Sequence, residues 1–226
     1  MTYEAIERAA TEAGLVLRGA FHPAPDEHAG LQRSGAPSGT IILLGFTGRI
    51  GWEAFAASPE KADEKPHPLD RWSQRVIGAL AERFGAVALF PFGGPPWHPF
   101  QQWAQRASSV HPSPLGLLID PDFGLWHSYR GAIVLAERLD LPARIDRPSP
   151  CESCRAKPCL STCPVNAFSA AGYSVDACAR HISAPAGADC MTGGCLARRA
   201  CPIGADHHPI PAQATFHMTA FLAARL

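Results

Sequence analysis

Apolar residues near the N-terminus repeat every three or four positions, as on one face of a helix. These residues are Ile6, Ala9, Ala10 and Ala13. Gly14 follows the last of them, and glycine commonly ends a helix because it adopts left-handed backbone angles without strain. The pattern therefore predicts a first helix that stops near residue 14.

A longer amphipathic stretch covers residues 67–85. Pro68 suits the first turn of a helix, where its missing N–H is not needed, and Gly85 suits the end. Residues 98–109 predict a further helix. In the longer stretch we expect one apolar stripe, formed by Leu69, Trp72, Val76, Leu80 and Phe84.

Short apolar runs predict the strands. Residues 40–46 and 86–92 are two such runs, and residues 115–120 and 127–136 predict two strands of a hairpin joined through 121–126. Helices and strands do not alternate regularly, so the fold class predicted is α+β and not a doubly wound sheet. No glycine-rich dinucleotide fingerprint follows a strand, and no phosphate-binding P-loop motif is present.

The composition is that of an ordinary globular protein, with 46% hydrophobic and 18% charged residues. The 20 basic and 20 acidic side chains balance. Nucleic-acid-binding domains usually carry a basic excess, so we expect no nucleic-acid partner. The N-terminus lacks a secretory signal pattern, and no apolar run reaches the roughly 18 residues of a membrane span. A cytoplasmic protein without a membrane partner is the expectation.

All eight cysteines lie between residues 151 and 201, and residues 142–150 hold three prolines. This change in composition predicts a boundary between a domain of residues 1–146 and a second domain of residues 147–226. Cytosolic thiols stay reduced, which disfavours a disulfide framework. Structural zinc and iron–sulfur clusters remain as alternatives.

The cysteine spacing favours two 4Fe–4S clusters over zinc. The first group reads C-x2-C-x4-C-x3-C-P and the second C-x11-C-x4-C-x5-C-P, whereas a zinc ribbon shows two C-x2-C pairs. In two-cluster ferredoxins the cysteine before proline ligates the other cluster. That rule assigns one cluster to Cys151, Cys154, Cys159 and Cys201, and the other to Cys163, Cys178, Cys190 and Cys195.

Residues 113–135 resemble a segment of the cobalamin-processing CblC family, with the pattern G-x-x-I-x-P-x-F-G-x-W-x-x-x-R-G. The resemblance implies a flavin-reductase- or nitroreductase-like domain that binds cobalamin with its lower base displaced. The corrinoid-binding residues that it implies are Gly116, Ile119, Pro121, Phe123, Gly124, Trp126 and Arg130.

The same segment, followed by this order of cysteines, is similar to epoxyqueuosine reductase. That resemblance implies a corrinoid-binding domain followed by a ferredoxin-like domain with two 4Fe–4S clusters. The expected function is therefore to reduce the corrinoid or to remove its upper ligand with electrons from the clusters. An electron donor such as a flavodoxin, a ferredoxin or a flavin reductase is an expected partner.

Two other functions stay open. One is a cobalamin-dependent reductase of a small organic substrate, and the other is an electron-transfer protein without a corrinoid. Without the resemblance, Phe123 and Trp126 are more simply core aromatics, and Arg130 is a paired or solvated strand residue.

Overall fold

The computed structural model describes residues 1–24, 38–95, 97–169 and 172–225. The chain forms two compact units. The first comprises Met1–Ser109 and Ser128–Asp146, and the second comprises Val110–His127 and Arg147–Leu226. The second unit thus includes residues 110–127, which the sequence analysis assigned to the first domain.

Both helices and strands are present, which confirms the α+β class. The helices are α1 Tyr3–Glu12, α2 Trp52–Ala56, α3 Pro59–Ala62, α4 Pro68–Arg83, α5 Phe100–Ala107, α6 Pro150–Ser153, α7 Val175–Ile182, α8 Ala188–Gly193, α9 Leu196–Arg199 and α10 Pro211–Ala223. The strands are β1 Val16–Phe21, β2 Thr40–Thr47, β3 Val87–Leu89, β4 His111–Pro112, β5 Leu118–Ile119, β6 His127–Leu135, β7 Phe168–Ser169 and β8 Gly172–Tyr173.

The first unit is built on a four-stranded sheet in the order β1-β2-β6-β3. Strand β2 is buried along its whole length, which explains why its sequence is a continuous apolar run and not an alternating one. The side chain of Thr2 caps α1 by accepting the N–H of Ala5, and Ile6 of this helix is fully buried. Phe55 and Trp72 pack edge to face in the same unit.

Helix α4 begins at Pro68, as predicted, but buries a somewhat different face. Val76 and Phe84 of the expected stripe are only partly buried, whereas Ser73, Ile77 and Ala81 are buried. Ser73 is tolerated there because its hydroxyl donates to the carbonyl of Leu69 at 2.7 Å. Because Ser73 on the buried face is polar, the spacing of apolar residues alone does not identify this face.

The predicted hairpin of residues 115–136 is wrong. Strand β5 pairs with β4, in the register His111 with Ile119, while β6 belongs to the four-stranded sheet. The intervening residues make a tight turn closed by a bridge between Asp120 and Gly124. The oxygen Oδ1 of Asp120 accepts the backbone N–H groups of Asp122 and Phe123, so this side chain fixes the turn locally.

The second unit encloses its cysteines around a small apolar core. This core contains Leu115, Ile119 and Leu125 from the early segment, together with residues that follow Asp146, and several cysteines pack against it. The pair Arg147–Asp122, 2.6 Å between Nη2 and Oδ2, joins the early segment to the later part of the same unit. Within the described ranges, every helix is too short or too polar to cross a lipid bilayer.

Candidate functional site

The first cysteine cavity is the cavity lined by Cys151, Cys154, Cys159 and Cys201, and its volume is about 230 Å³. Two prolines organise the loop that carries the first three of these thiols. Pro150 begins α6, and Pro158 begins a short 3-10 turn after Lys157, whose backbone is left-handed at φ +40°. Proline fits both starts because helical turns leave their first N–H groups unpaired. Cys201 completes the set from directly after α9.

The second cysteine cavity is lined by Cys163, Cys178, Cys190 and Cys195, and it is much narrower, about 20 Å³. Helices α7 and α8 carry Cys178 and Cys190, and Cys195 immediately precedes α9. Phe168, Ile182 and Met218 also line this cavity. A group of cluster size therefore requires the lining side chains to move apart.

The structure thus brings together the two sets of four that the sequence analysis named, each drawn from both cysteine groups. All eight side chains are free thiols. Burial raises the pKa of the thiols of Cys151 and Cys159 in the first cavity, and neighbouring cysteines of the same set raise it further. Burial also raises the pKa of Cys178, Cys190 and Cys201. These thiols must lose their protons on binding a metal, so the bound metal has to offset the cost of placing buried negative charges there.

Backbone N–H groups point at several sulfurs. The amide of Ala167 donates to Sγ of Cys163 at 3.3 Å. Backbone hydrogen bonding at Leu196 and Ile203 lowers the pKa of Cys190 and Cys201 against the effect of burial. Such donors stabilise thiolates and tune the potential of a bound cluster. Hydrogen bonding by the side chain of Tyr173 lowers the pKa of the Cys178 thiol against the effect of burial.

Among the described residues, no three His, Cys, Asp or Glu side chains converge as the ligands of a single metal ion do. This does not conflict with a cubane. Four thiolates that bond four different irons stand farther apart than four ligands of one zinc ion. The donor set, four thiolates with backbone N–H groups directed at them, fits a 4Fe–4S cluster chemically.

Gly124 makes the closest backbone approach in the segment predicted to bind a corrinoid. Its φ is +58°, and a Cβ atom there would lie 2.0 Å from the carbonyl oxygen of Ile203. Gly204 makes the reciprocal approach, with the carbonyl of Phe123 2.4 Å from where its Cβ would be. Glycine at 124 is therefore required by contact with the backbone just after Cys201.

Most other members of that predicted site also have protein neighbours in the second unit. Ile119 is 1% exposed and lines the first cysteine cavity. The ring of Phe123 lies 4.8 Å from that of His207, and Trp126 lies 5.0 Å from His208. Pro121 is partly buried. Gly116 differs, because it is exposed and has open space beside its α-carbon at φ +75°.

Arg130 belongs to the first unit and has an ion-pair partner there. Its guanidinium donates to Oδ1 of Asp70, and its Nε donates to the hydroxyl of Ser73 at 3.1 Å. Burial lowers the pKa of Arg130, and the carboxylate of Asp70 opposes that shift. These contacts give the arginine a structural role of the kind expected for a paired strand residue.

Reasoning from the sequence missed two residues near the second cysteine cavity. Tyr173 stacks on Phe168 with 4.7 Å between ring centroids while its hydroxyl reaches Cys178. Arg198 lies over the ring of Trp126, 4.3 Å from its centroid. Neither residue is part of the two cysteine motifs. The position of Arg198, midway between two cysteines in "CLARRAC", was the available signal.

Comparison with protein families finds none that matches this chain, and comparison with curated proteins finds no matching relative. Among solved structures, the chain is similar to epoxyqueuosine reductase from Streptococcus thermophilus. The TM-score is 0.50 at 15% identity, covering 91% of this chain and 67% of that one. At this identity the likeness shows the fold alone.

Proposed function

We propose that this chain is a redox protein with two 4Fe–4S clusters, one in each cysteine cavity. The observation that carries the proposal is the grouping of eight free cysteines into two sets of four around two cavities. Clusters of this kind supply one-electron transfer. The function of the chain is then to hold them, to keep water from them and to set their potentials.

Several residues have defined tasks in this proposal. The thiols release their protons on cluster binding, and the amides of Ala167, Leu196 and Ile203 stabilise the resulting negative sulfurs. Ile119 and Leu125 supply apolar surface to the core against which several of the cysteines pack. The ferredoxin-like character of residues 147–226 belongs to the same proposal.

We further propose that the electrons serve a corrinoid, cobalamin with its lower base displaced, bound by a nitroreductase-like domain of residues 1–146 of the CblC type. The resemblance of residues 113–131 supports this. Protein contacts limit how a corrinoid could bind to this segment. Ile203 already covers Gly124, and Arg198 already covers Trp126. Gly116 is the member of the predicted corrinoid-binding set that is exposed, and the neighbouring Leu117 is exposed as well.

The corresponding reaction is reduction of the corrinoid or removal of its upper ligand, with electrons from a flavodoxin, a ferredoxin or a flavin reductase. Reduction of a small organic substrate is a second candidate, favoured by the reductase among the solved structures. Electron transfer without a corrinoid is the third, and the coverage of Gly124 and Trp126 by protein favours it.

Metal analysis of protein purified without oxygen tests the cluster proposal. We expect about eight irons and eight acid-labile sulfides per chain, since each cubane holds four of each. Stoichiometric zinc without sulfide would overturn it. A titration of the same protein with cobalamin under argon tests the corrinoid. A spectral shift to the base-off form is expected, and no shift at any accessible concentration leaves the electron-transfer protein as the function.

A further inference from the structure

Arg198 holds a charge in the interior of the second unit. It lies on α9, the four-residue helix between Cys195 and Cys201. One guanidinium nitrogen donates to the carbonyl of Leu125, and the guanidinium carbon lies 4.3 Å from the centroid of the Trp126 ring. Part of the side chain keeps contact with solvent, but its Nε is buried and has no hydrogen-bond acceptor.

No carboxylate pairs with Arg198 in the part of the chain that the structure describes, whereas its neighbour Arg199 pairs with Asp189 at 2.7 Å. Instead, the three residues that precede it, Cys195, Leu196 and Ala197, all line the second cysteine cavity. Desolvation lowers the pKa of Arg198, while Cys195 opposes that shift. A buried cation without an anion is costly, so an anionic partner is expected beside it.

The first cysteine cavity has a different cation. Lys157 is the basic residue that acts on Cys151, and it is exposed. Water and salt screen the charge of an exposed lysine much more than that of a desolvated guanidinium. The two cavities therefore each offer four thiols, but in unequal electrostatic surroundings.

We propose that Arg198 compensates the negative charge of the cluster in the second cysteine cavity and raises its reduction potential above that of the cluster in the first. The inference rests on the proposed function. An added electron makes a cluster more negative, so a nearby poorly screened cation stabilises the reduced form. An electron that enters the chain then rests on the second cluster, and Arg198 is a positioning and tuning residue.

Voltammetry of the full chain with its clusters tests this. Arg198→Met removes the charge and keeps an apolar stem over Trp126, and Arg198→Gln also keeps a donor for Leu125. In both we expect the higher-potential wave to shift to lower potential while the other wave stays in place. Arg198→Lys keeps the charge and should stay close to wild type. The matched control is Arg180→Met, which removes an exposed charge two residues from Cys178 and should shift neither wave.

The outcomes separate the two proposals. A wild-type chain without iron and sulfide refutes the clusters themselves. Unchanged waves in both neutral variants, a shift of only the lower-potential wave, or equal shifts in Arg198→Lys and Arg198→Met overturn the role of the charge. If both neutral variants lose about four irons and Arg198→Lys retains them, the charge is needed to hold the cluster, which supports the proposal. Loss of about four irons from all three variants refutes the proposal, because the cluster would then depend on the shape of the arginine side chain and not on its charge.

Discussion

The two cysteine cavities each contain four thiols but differ in size and lining. The first is about 230 Å³ and is bordered by four prolines, namely Pro114, Pro150, Pro158 and Pro202, whereas the second is about 20 Å³ and is bordered by larger apolar side chains. Lys157 at the first cavity is exposed, whereas Arg198 near the second is largely desolvated. Because the ligands are of the same type in both cavities, any difference in potential or accessibility between two bound clusters must come from the surrounding residues.

The largest expected effect comes from exchanging one ligand of the first cavity. Cys201→Ser should lower the iron content from about eight to about four per chain, because one cubane loses a thiolate and the other keeps all four. Colorimetric iron and sulfide determination on the purified variant measures this.

Double variants show which thiols share a cluster. Cys151→Ser combined with Cys201→Ser should lose no more iron than Cys201→Ser alone, since both thiols line the first cavity. Cys195→Ser combined with Cys201→Ser should lose nearly all of it. If the Cys151 double variant instead loses nearly all its iron and the Cys195 double variant loses no more than Cys201→Ser, then Cys201 binds the cluster of the second cavity.

A smaller effect is expected from the close approach beside the first cavity. Gly124→Ala places a methyl group against the carbonyl of Ile203 and forces a left-handed φ of +58° on a residue with a side chain. We expect the free energy of unfolding to fall by more than about 2 kcal/mol, since the φ strain alone costs roughly 1–2 kcal/mol. Iron content should fall toward four, because Ile203 follows Cys201 by two residues.

Gly116→Ala is the matched control for that variant. Its φ is similarly positive, at +75°, but open space surrounds its α-carbon. This variant should be destabilised only by the φ strain, about 1–2 kcal/mol, and should keep its iron. Urea unfolding and iron analysis of the two variants compare them. Equal losses in both would show that the contact with Ile203 contributes nothing.

The smallest effect concerns the second cavity alone. Tyr173→Phe removes the hydroxyl that donates to Cys178 and keeps the ring stacked on Phe168. Losing a donor to a sulfur makes the reduced cluster less stable, so its potential should fall. The shift should be smaller than that of Arg198→Met, because a neutral dipole acts more weakly than a charge and Tyr173 is 40% exposed. Voltammetry that shows an upward shift, or movement of the first cluster's wave, would contradict this.

Local patterns were sufficient where a residue's partners lie nearby in the chain. Helix α1, the start of α4 at Pro68 and the buried strand β2 follow from apolar spacing, proline and glycine over a few residues. The face of α4 did not follow, because the buried Ser73 satisfies its hydroxyl within the helix and so does not show in a search for apolar stripes.

Pairing between distant segments could not be read in the same way. The apolar run 115–120 and the following strand suggested a hairpin, but β5 pairs with β4, and the turn at Asp120–Gly124 packs against Ile203 and Gly204, some eighty residues later. A glycine at 124 is compatible with a corrin neighbour and with a backbone neighbour alike. Only the folded chain shows which atom occupies the space that a Cβ would fill.

The sequence by itself determined the eight thiols, their spacing and the two Cys-Pro endings, because ligand type and spacing are local chemical facts, and it predicts their division into two sets of four. Tertiary structure decided what surrounds each set. It placed residues 110–127 in the unit of the cysteines, directed backbone amides at the sulfurs and left Arg198 without a carboxylate partner among the described residues. Burial and electrostatic screening depend on atoms contributed by distant parts of the chain, so no local pattern contains them.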